Sequence, residues 1–171
     1  MTARPRRPPP NLRYHTPMIK LTLLLLSLLM VAGAVDLPSK KFLDLAAIKK
    51  MVAVAEAEAQ KRHVQVTLCI MDESGNLLFL QKADGVSLNT IQFAQRKALY
   101  AARYGRPSKL AADQLKGGDL GVLVNPDSFP NQGGVPINVD GKTIGSIAAS
   151  GAPSEVDEAI AQAAVDALLK P

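Results

Sequence analysis

Four side chains between positions 93 and 104 carry the groups best placed to do chemistry in this chain: Phe93, Lys97, Tyr100 and Tyr104. At about 100° per helical residue they fall on one stripe. An aromatic ring, an ammonium and two phenolic oxygens then share a surface. Such a surface can line a flat apolar pocket, or it can pack into a subunit interface, where tyrosine is enriched. His63 is the one imidazole after residue 34 and is a candidate metal ligand, although the end of a helix pattern equally suits a charged imidazole. Cys69 and Met71 are soft candidates that read more simply as side chains packed under a helix. Gly133-Gly134 lets a ligand or a neighbouring chain come close to the backbone, or forms a tight turn with no ligand at all.

The carboxylates offer less. Asp84 near Lys82, and Asp157 beside Glu158, are the groupings that stand out. The second pair lies in the first turn of a helix pattern, where acids complement the helix dipole. Arg103, Arg106 and Lys109 cluster at a junction between helices and could hold a carboxylate or form a solvated basic corner. A lone histidine excludes chemistry that needs two imidazoles. No metal-ligand spacing, nucleophile elbow or phosphate loop occurs, so no catalytic constellation is evident.

The elements that position these residues follow from periodicity. Leu45, Ile48, Val52 and Ala55 recur at helical spacing from Asp44 to Arg62, with Asp44 as N-cap. Residues 64–71 alternate as a strand, and residues 76–81 form its hairpin partner across Asp72-Glu73-Ser74-Gly75. Ser87 is placed to cap the helix carrying the aromatic stripe, which Gly105 and Pro107 stop. A second stripe on that helix (Ile91, Ala94, Ala98, Ala101 and Ala102) is small enough to lie close to a sheet. Ser108 opens a short third helix that ends before Gly117-Gly118. The long segment from Gly117 to Gln132 has little regular pattern and reads as a lid or interface loop, with one short strand expected ahead of the final hairpin. Residues 135–139 and 142–148 pair around Asp140-Gly141, and Ser154-Glu155-Val156-Asp157 reads as a capping box for a last helix ending at Leu169. This order predicts a single α+β domain with a mainly antiparallel sheet and helices packed on it.

The beginning of the chain has another character. Lys20, the apolar run Leu21 to Val31 and Ala32-Gly33-Ala34 have the layout of a secretory signal peptide. The run, about 11 residues, is shorter than the roughly 20 a membrane-spanning helix needs. Residues 1–34 are therefore expected to be a cleaved leader and residues 35–171 the working domain, periplasmic or secreted, with the true start at Met1 or Met18. The leader holds five basic residues and no acid, so without it the net charge falls from +5 to zero. The basic balance thus belongs to the leader and gives no support to nucleic-acid binding. With Cys69 as the sole cysteine no internal disulfide can form, and stability must come from packing or oligomerisation.

Several short motifs then fall in an order that resembles one family. Asp72-x-x-Gly75-Asn76-Leu77-Leu78, Lys82-Ala83-Asp84-Gly85, Ala94-x-x-Lys97-Ala98-x-x-Ala101, Gly133-Gly134-Val135-Pro136-Ile137, Gly145-Ser146-Ile147 and Ser150-Gly151 before Asp157-Glu158 resemble the GlcG/HbpS family, also found as the C-terminal domain of PduO-type proteins. The resemblance covers nearly all of residues 35–171. It implies a profilin-like antiparallel sheet flanked by helices, assembly into homo-oligomers and, in several members, binding of haem. Any haem here would be held noncovalently, since no Cys-x-x-Cys-His motif is present. Within that resemblance Tyr100 or Tyr104 reads as a phenolate ligand to ferric iron, Lys97 as the partner of a propionate, and Phe93, Gly133 and Gly134 as pocket walls. His63 is the alternative iron ligand. The family often has a threonine at the position of Tyr100, so the ligand has either moved or been lost. The expectation is an exported haem- or tetrapyrrole-binding protein for capture, storage or sensing. A haem-degrading or other small-molecule enzyme of the same fold, and a non-catalytic accessory protein with a protein partner, are the alternatives.

Overall fold

The computed structural model describes residues 35–170, so the expected leader at residues 1–34 lies outside the described residues. The fold below belongs to Lys40 onward. Residues 35–39 carry neither helix nor strand. Among the described residues no helix is long and apolar enough to cross a membrane.

Helix α1 runs from Leu45 to Lys61, and its N-terminus is closed by the Asp44 carboxylate, which accepts from the Ala47 amide at 2.7 Å. Strands β1 (Thr67–Asp72) and β2 (Leu77–Lys82) form the first hairpin. The Asp72 carboxylate holds the turn between them by accepting from the Ser74 and Asn76 amides, each at 2.8 Å. Helix α2 spans Asn89–Tyr104 and α3 spans Lys109–Lys116. Strands β3 (Gly134–Val139) and β4 (Lys142–Ser150) make the second hairpin, and α4 closes the chain from Ser154 to Leu169. The β3–β4 turn has Asp140 and Gly141 at φ 51° and 74°, the paired positive values that a two-residue hairpin turn requires. The four strands form one antiparallel sheet in the order β2-β1-β4-β3, in which β1 and β4 pair from Thr67↔Ser150 to Asp72↔Gly145.

The two faces of this sheet are packed differently. Leu68 and Ile70 of β1, Ile147 and Ala149 of β4, and Val135 and Ile137 of β3 point into a large apolar core under α1 and α4. On the opposite face Cys69, Met71 and Ala148 lie against Ala94 and Ala98 of α2, so the small-residue stripe seats that helix on the sheet as expected. The close approach lets side chains tie helix to strand: the Ser146 hydroxyl donates to the Ala98 carbonyl at 2.8 Å, and Thr67 and Thr90 hydroxyls meet at 2.7 Å.

Four local expectations are corrected. The strand expected before the second hairpin is a 3-10 turn, Leu120–Val124, started by the Asp119 carboxylate accepting from the Gly121 amide at 2.9 Å. Only Val122 of that turn is buried, so no alternating face exists for a strand to bury. Ser87 gives α2 its carbonyl, not a hydroxyl cap, and receives both the amide and the hydroxyl of Thr90. Ser108 turns its hydroxyl away from α3, donating to the Asn131 carbonyl at 2.7 Å and accepting from the Gly134 amide at 2.9 Å. The capping box does not form, because Ser154 is already helical and Asp157 turns inward.

Candidate functional site

The sheet-distant face of α2 is where the aromatic stripe lies, and residues 126–129 pass along it from Tyr104 back to Phe93. Tyr100 is 1% exposed and packs with Ala111 of α3 and Val122 of the 3-10 turn. Its ring stacks on Tyr104, with centroids 4.6 Å apart. The Arg106 Nε donates to the Tyr100 hydroxyl at 3.0 Å, and the same guanidinium lies 5.4 Å from the Tyr104 ring centre. The Tyr104 hydroxyl donates to the Pro126 carbonyl. Toward the start of α2, Phe93 meets Phe129 at 5.4 Å, and Arg96 stands 4.3 Å from the centre of the Phe129 ring. Arg103, 4.0 Å from Asp127, adds a third guanidinium to this face.

Lys97 does not join that group. Its side chain is 2% exposed, its ammonium lies 2.9 Å from Asp157 Oδ2, whose side chain is also 2% exposed, and it donates to the Ala149 carbonyl at 3.2 Å. The expected pairing of Lys97 with a propionate is therefore corrected: the charge is already matched inside the protein. Burial pushes the Asp157 carboxyl above the ordinary aspartate range, against the opposing pull of Lys97 and of the Ala152 and Gly151 amides. The Gly133-Gly134 pair is explained by the same contact. A Cβ on Gly133, at φ 129°, would stand 2.8 Å from Lys97 Nζ, and one on Gly134 would stand 2.3 Å from the Lys97 carbonyl oxygen. The two glycines let β3 pass against the α2 backbone over a buried ion pair, so a close approach inside the protein accounts for them without a ligand.

The other candidates are dispersed. His63 follows α1, on the opposite side of the sheet from α2, and is exposed in a left-handed conformation at φ 56°. It cannot share an iron with Tyr100. Cys69 is buried under α2, and burial pushes its thiol up to about 12, which keeps it unreactive. Lys109 pairs with Asp113 along α3. Glu158 is half-buried near Gln132 and Lys109, one of its oxygens has no partner, and burial raises its carboxyl above the usual range. Among the described residues no three His, Cys, Asp or Glu side chains converge as a metal site. Two surface cavities lie away from the aromatic face: one of about 110 Å³ beside Gln60, Val66 and Gln81, and one of about 380 Å³ between Phe42, Val139 and Leu168.

Of the side chains expected to bind a ligand, the structure thus brings Tyr100, Tyr104 and Phe93 onto one face. It adds Arg106, Arg96 and Phe129, which sequence reasoning did not place there. A signal for Arg96 existed, since it stands three residues after Phe93 and so on the adjoining stripe. Phe129 is 36 positions from its ring partner, and no local pattern could have joined them. The face combines hard phenolic oxygen, three ring planes besides Tyr100 and three guanidiniums. Rings can sandwich a flat apolar group, guanidiniums can bind its carboxylates, and a phenolate can ligate ferric iron.

The family model described as "Haem degrading protein HbpS-like" matches residues 43–166. The chain is 31% identical to protein GlcG of Escherichia coli K12 over 100 residues, which is 58% of this chain and 75% of GlcG. It is similar to the crystal structure of a double mutant of HbpS from Streptomyces reticuli, with TM-score 0.71, 28% identity and coverage of 82% of this chain and 95% of that one. The PduOC:heme complex has the same fold, with TM-score 0.69 at 24% identity over 74% of this chain and 95% of that one.

Proposed function

This chain belongs to the HbpS-like family, and we propose that it binds haem, or a closely related tetrapyrrole, on the outer face of α2 as an exported, oligomeric protein serving capture, storage or sensing. The single observation that carries this reading is the match of residues 43–166 to a family described by haem chemistry. The residues of the α2 face suit the group. Tyr100 supplies a phenolic oxygen, with Arg106 beside it to offset the charge that an iron-bound tyrosinate carries. Tyr104, Phe93 and Phe129 offer ring surfaces, and Arg96 and Arg103 are placed at the exposed margin for propionates. When bound, haem would supply a redox-active iron. The chain's own contribution is to seat it, balance its charges and exclude water.

Export rests on the signal-like layout of residues 1–34. The oligomer rests on the family resemblance and on three large apolar side chains, Leu120, Leu123 and Val124, left exposed in the segment next to the site. Titration with haemin tests the ligand: a saturable Soret shift supports the reading, and none removes it. A second reading, degradation of the bound haem, is favoured by the family's description as haem-degrading. Irreversible loss of the Soret band on adding a reductant and oxygen would support it, and a stable reduced spectrum would refute it.

A further inference from the structure

Tyr100 offers its oxygen to a ligand and yet is sealed, at 1% exposure. The seal is made by Ala111 of α3 and by Val122 of the segment Asp119–Gln132, whose middle is attached to α2 by side chains. Val122 is its buried anchor over Tyr100, and every other residue from Asp119 to Asp127 is exposed. Beyond Val122, the contacts with α2 are side-chain latches: Tyr104 to the Pro126 carbonyl, Arg103 to Asp127, Arg96 to the Ser128 carbonyl at 3.3 Å, and the Phe93–Phe129–Arg96 stack. Its backbone hydrogen bonds are local, such as Leu120 to Gly118, Ser128 to Asn125 and Asn131 to Phe129. These hold the segment's own shape, and, apart from the latches, backbone ties to the body lie only at its two ends, where the Asp119 amide donates to the Gln114 carbonyl at 3.0 Å and the Asn131 carbonyl accepts from the Ser108 hydroxyl at 2.7 Å.

Two further observations mark the segment as poised. Asp127 adopts φ 56°, a left-handed conformation that a side-chain-bearing residue holds at a cost, and the Ser128 hydroxyl is buried without a partner. Gly118, at φ 89° with open space around it, is suited to hinge at one end, and the Ser108–Asn131 hydrogen bond marks the fixed other end. Gly133 is fixed over the Lys97–Asp157 pair, so movement there stops at the ion pair and leaves β3 in place.

We infer that residues 119–130 are a strap that closes over Tyr100 and swings from α2 to admit a flat, anionic, aromatic ligand, the latches then being exchanged for contacts to that ligand. Arg96 and Arg103, released from Ser128 and Asp127, become free for the ligand's carboxylates. Tyr104 and Phe93 become free for its faces. The inference rests on the proposed site and concerns access to it.

Amide hydrogen exchange on the full chain without ligand, followed by stopped-flow mixing with haemin, tests it. The amides of residues 120–130 are expected to exchange together and much faster than the α2 amides of Ala94 to Ala102. Haemin binding is expected to reach a limiting rate as haemin concentration rises, which is the opening rate. Phe129→Ala removes one aromatic pair and one exposed cation–π contact and should raise that limit roughly three- to ten-fold while leaving exchange in α2 unchanged. Exchange in the strap as slow as in α2 would overturn the inference. So would binding whose rate rises linearly with haemin and is equal in Phe129→Ala, an outcome that leaves the haem reading standing. If haemin gives no signal, the haem reading falls, and the exchange data alone uphold or overturn the opening of the strap.

Discussion

Removing one member of the Lys97–Asp157 pair should be the most damaging single charge change in this protein. Both side chains are 2% exposed and their charged atoms are 2.9 Å apart. Lys97→Met strands a carboxylate that keeps its Ala152 amide donor at 3.0 Å and loses its only cation. Breaking a buried pair on one side costs about 3–5 kcal/mol. For a domain of this size that corresponds to a fall in Tm of about 10–15 °C. In urea it corresponds to a midpoint lower by about 2 M. Asp157→Asn strands the ammonium and should cost a similar amount. In the double variant neither charge remains, while the carboxamide introduced at position 157 can still accept from the Ala152 amide. Its loss should therefore be smaller than the sum of the two singles by about 1–3 kcal/mol. Equilibrium urea unfolding of all four proteins at pH 7 measures this directly. Acid provides a second reading: the carboxyl of Asp157 is already raised by burial, and without Lys97 it rises further, so the penalty in Lys97→Met should shrink as pH falls and the group protonates. A single-variant loss under about 1 kcal/mol, or additivity within about 0.5 kcal/mol, would show that the pair is not a closed, buried contact.

Four other outcomes follow from individual residues. Gly133→Ala places a Cβ 2.8 Å from Lys97 Nζ and 3.0 Å from the Ala149 carbonyl oxygen at φ 129°, and should lose about 2–4 kcal/mol from overpacking and backbone strain together. Gly134→Ala meets the Lys97 carbonyl at 2.3 Å and should lose more, both by thermal unfolding; near-neutral results would mean that β3 does not lie against α2. Glu158 has a raised folded pKa because burial outweighs the help of Gln132 and Lys109, with Asp113 also raising it. Its favourable contribution is thus present below the unfolded glutamate value of about 4.3 and is lost as pH rises through the folded value. Glu158→Gln, which has no such titration, should gain stability relative to wild type between about pH 4 and pH 7, and a difference that is flat or of opposite slope in chemical denaturation would contradict the burial. His63→Gly should raise stability by about 1 kcal/mol by relieving its left-handed conformation at φ 56° and leave any haem spectrum unchanged; a changed spectrum would return His63 to the iron.

Local chemistry made the frame of the fold readable. The Ile48–Val52–Ala55 spacing, the Asp44 cap, the Asp72–Gly75 and Asp140-Gly141 turns and the alanine stripe of α2 all appear in the structure where the residues imply them, whereas Leu45, at the first turn of α1, is exposed. Each is decided within a few residues. The interior of the site was not readable in that way. A carboxylate in the first turn of α4 is explained equally by the helix dipole and by a buried cation, and the cation that decides between them is 60 residues away. The aromatic stripe gave the right face for Tyr100, Tyr104 and Phe93 and the wrong one for Lys97. A residue at the edge of a helical stripe can turn to either side, and the close passage of β3 over α2 draws this one inward. The unpatterned segment before Gly133 was recognisable as a covering loop, but its attachments to Arg96 and Phe93 depend on contacts across more than 30 positions.

The claim that haem binds on the outer face of α2 through Tyr100 is tested most directly by haemin titration of wild type and Tyr100→Phe side by side, following the Soret and charge-transfer bands. The substitution removes only the hydroxyl that Arg106 holds at 3.0 Å, a loss of about 1 kcal/mol in stability, so the fold survives the comparison. Saturable binding to wild type, with affinity at least about ten-fold weaker and an altered spectrum in Tyr100→Phe, is the predicted result; ten-fold corresponds to about 1.4 kcal/mol. Identical affinity and spectrum in the two proteins would place the iron elsewhere, and no saturable shift in wild type would contradict haem binding itself.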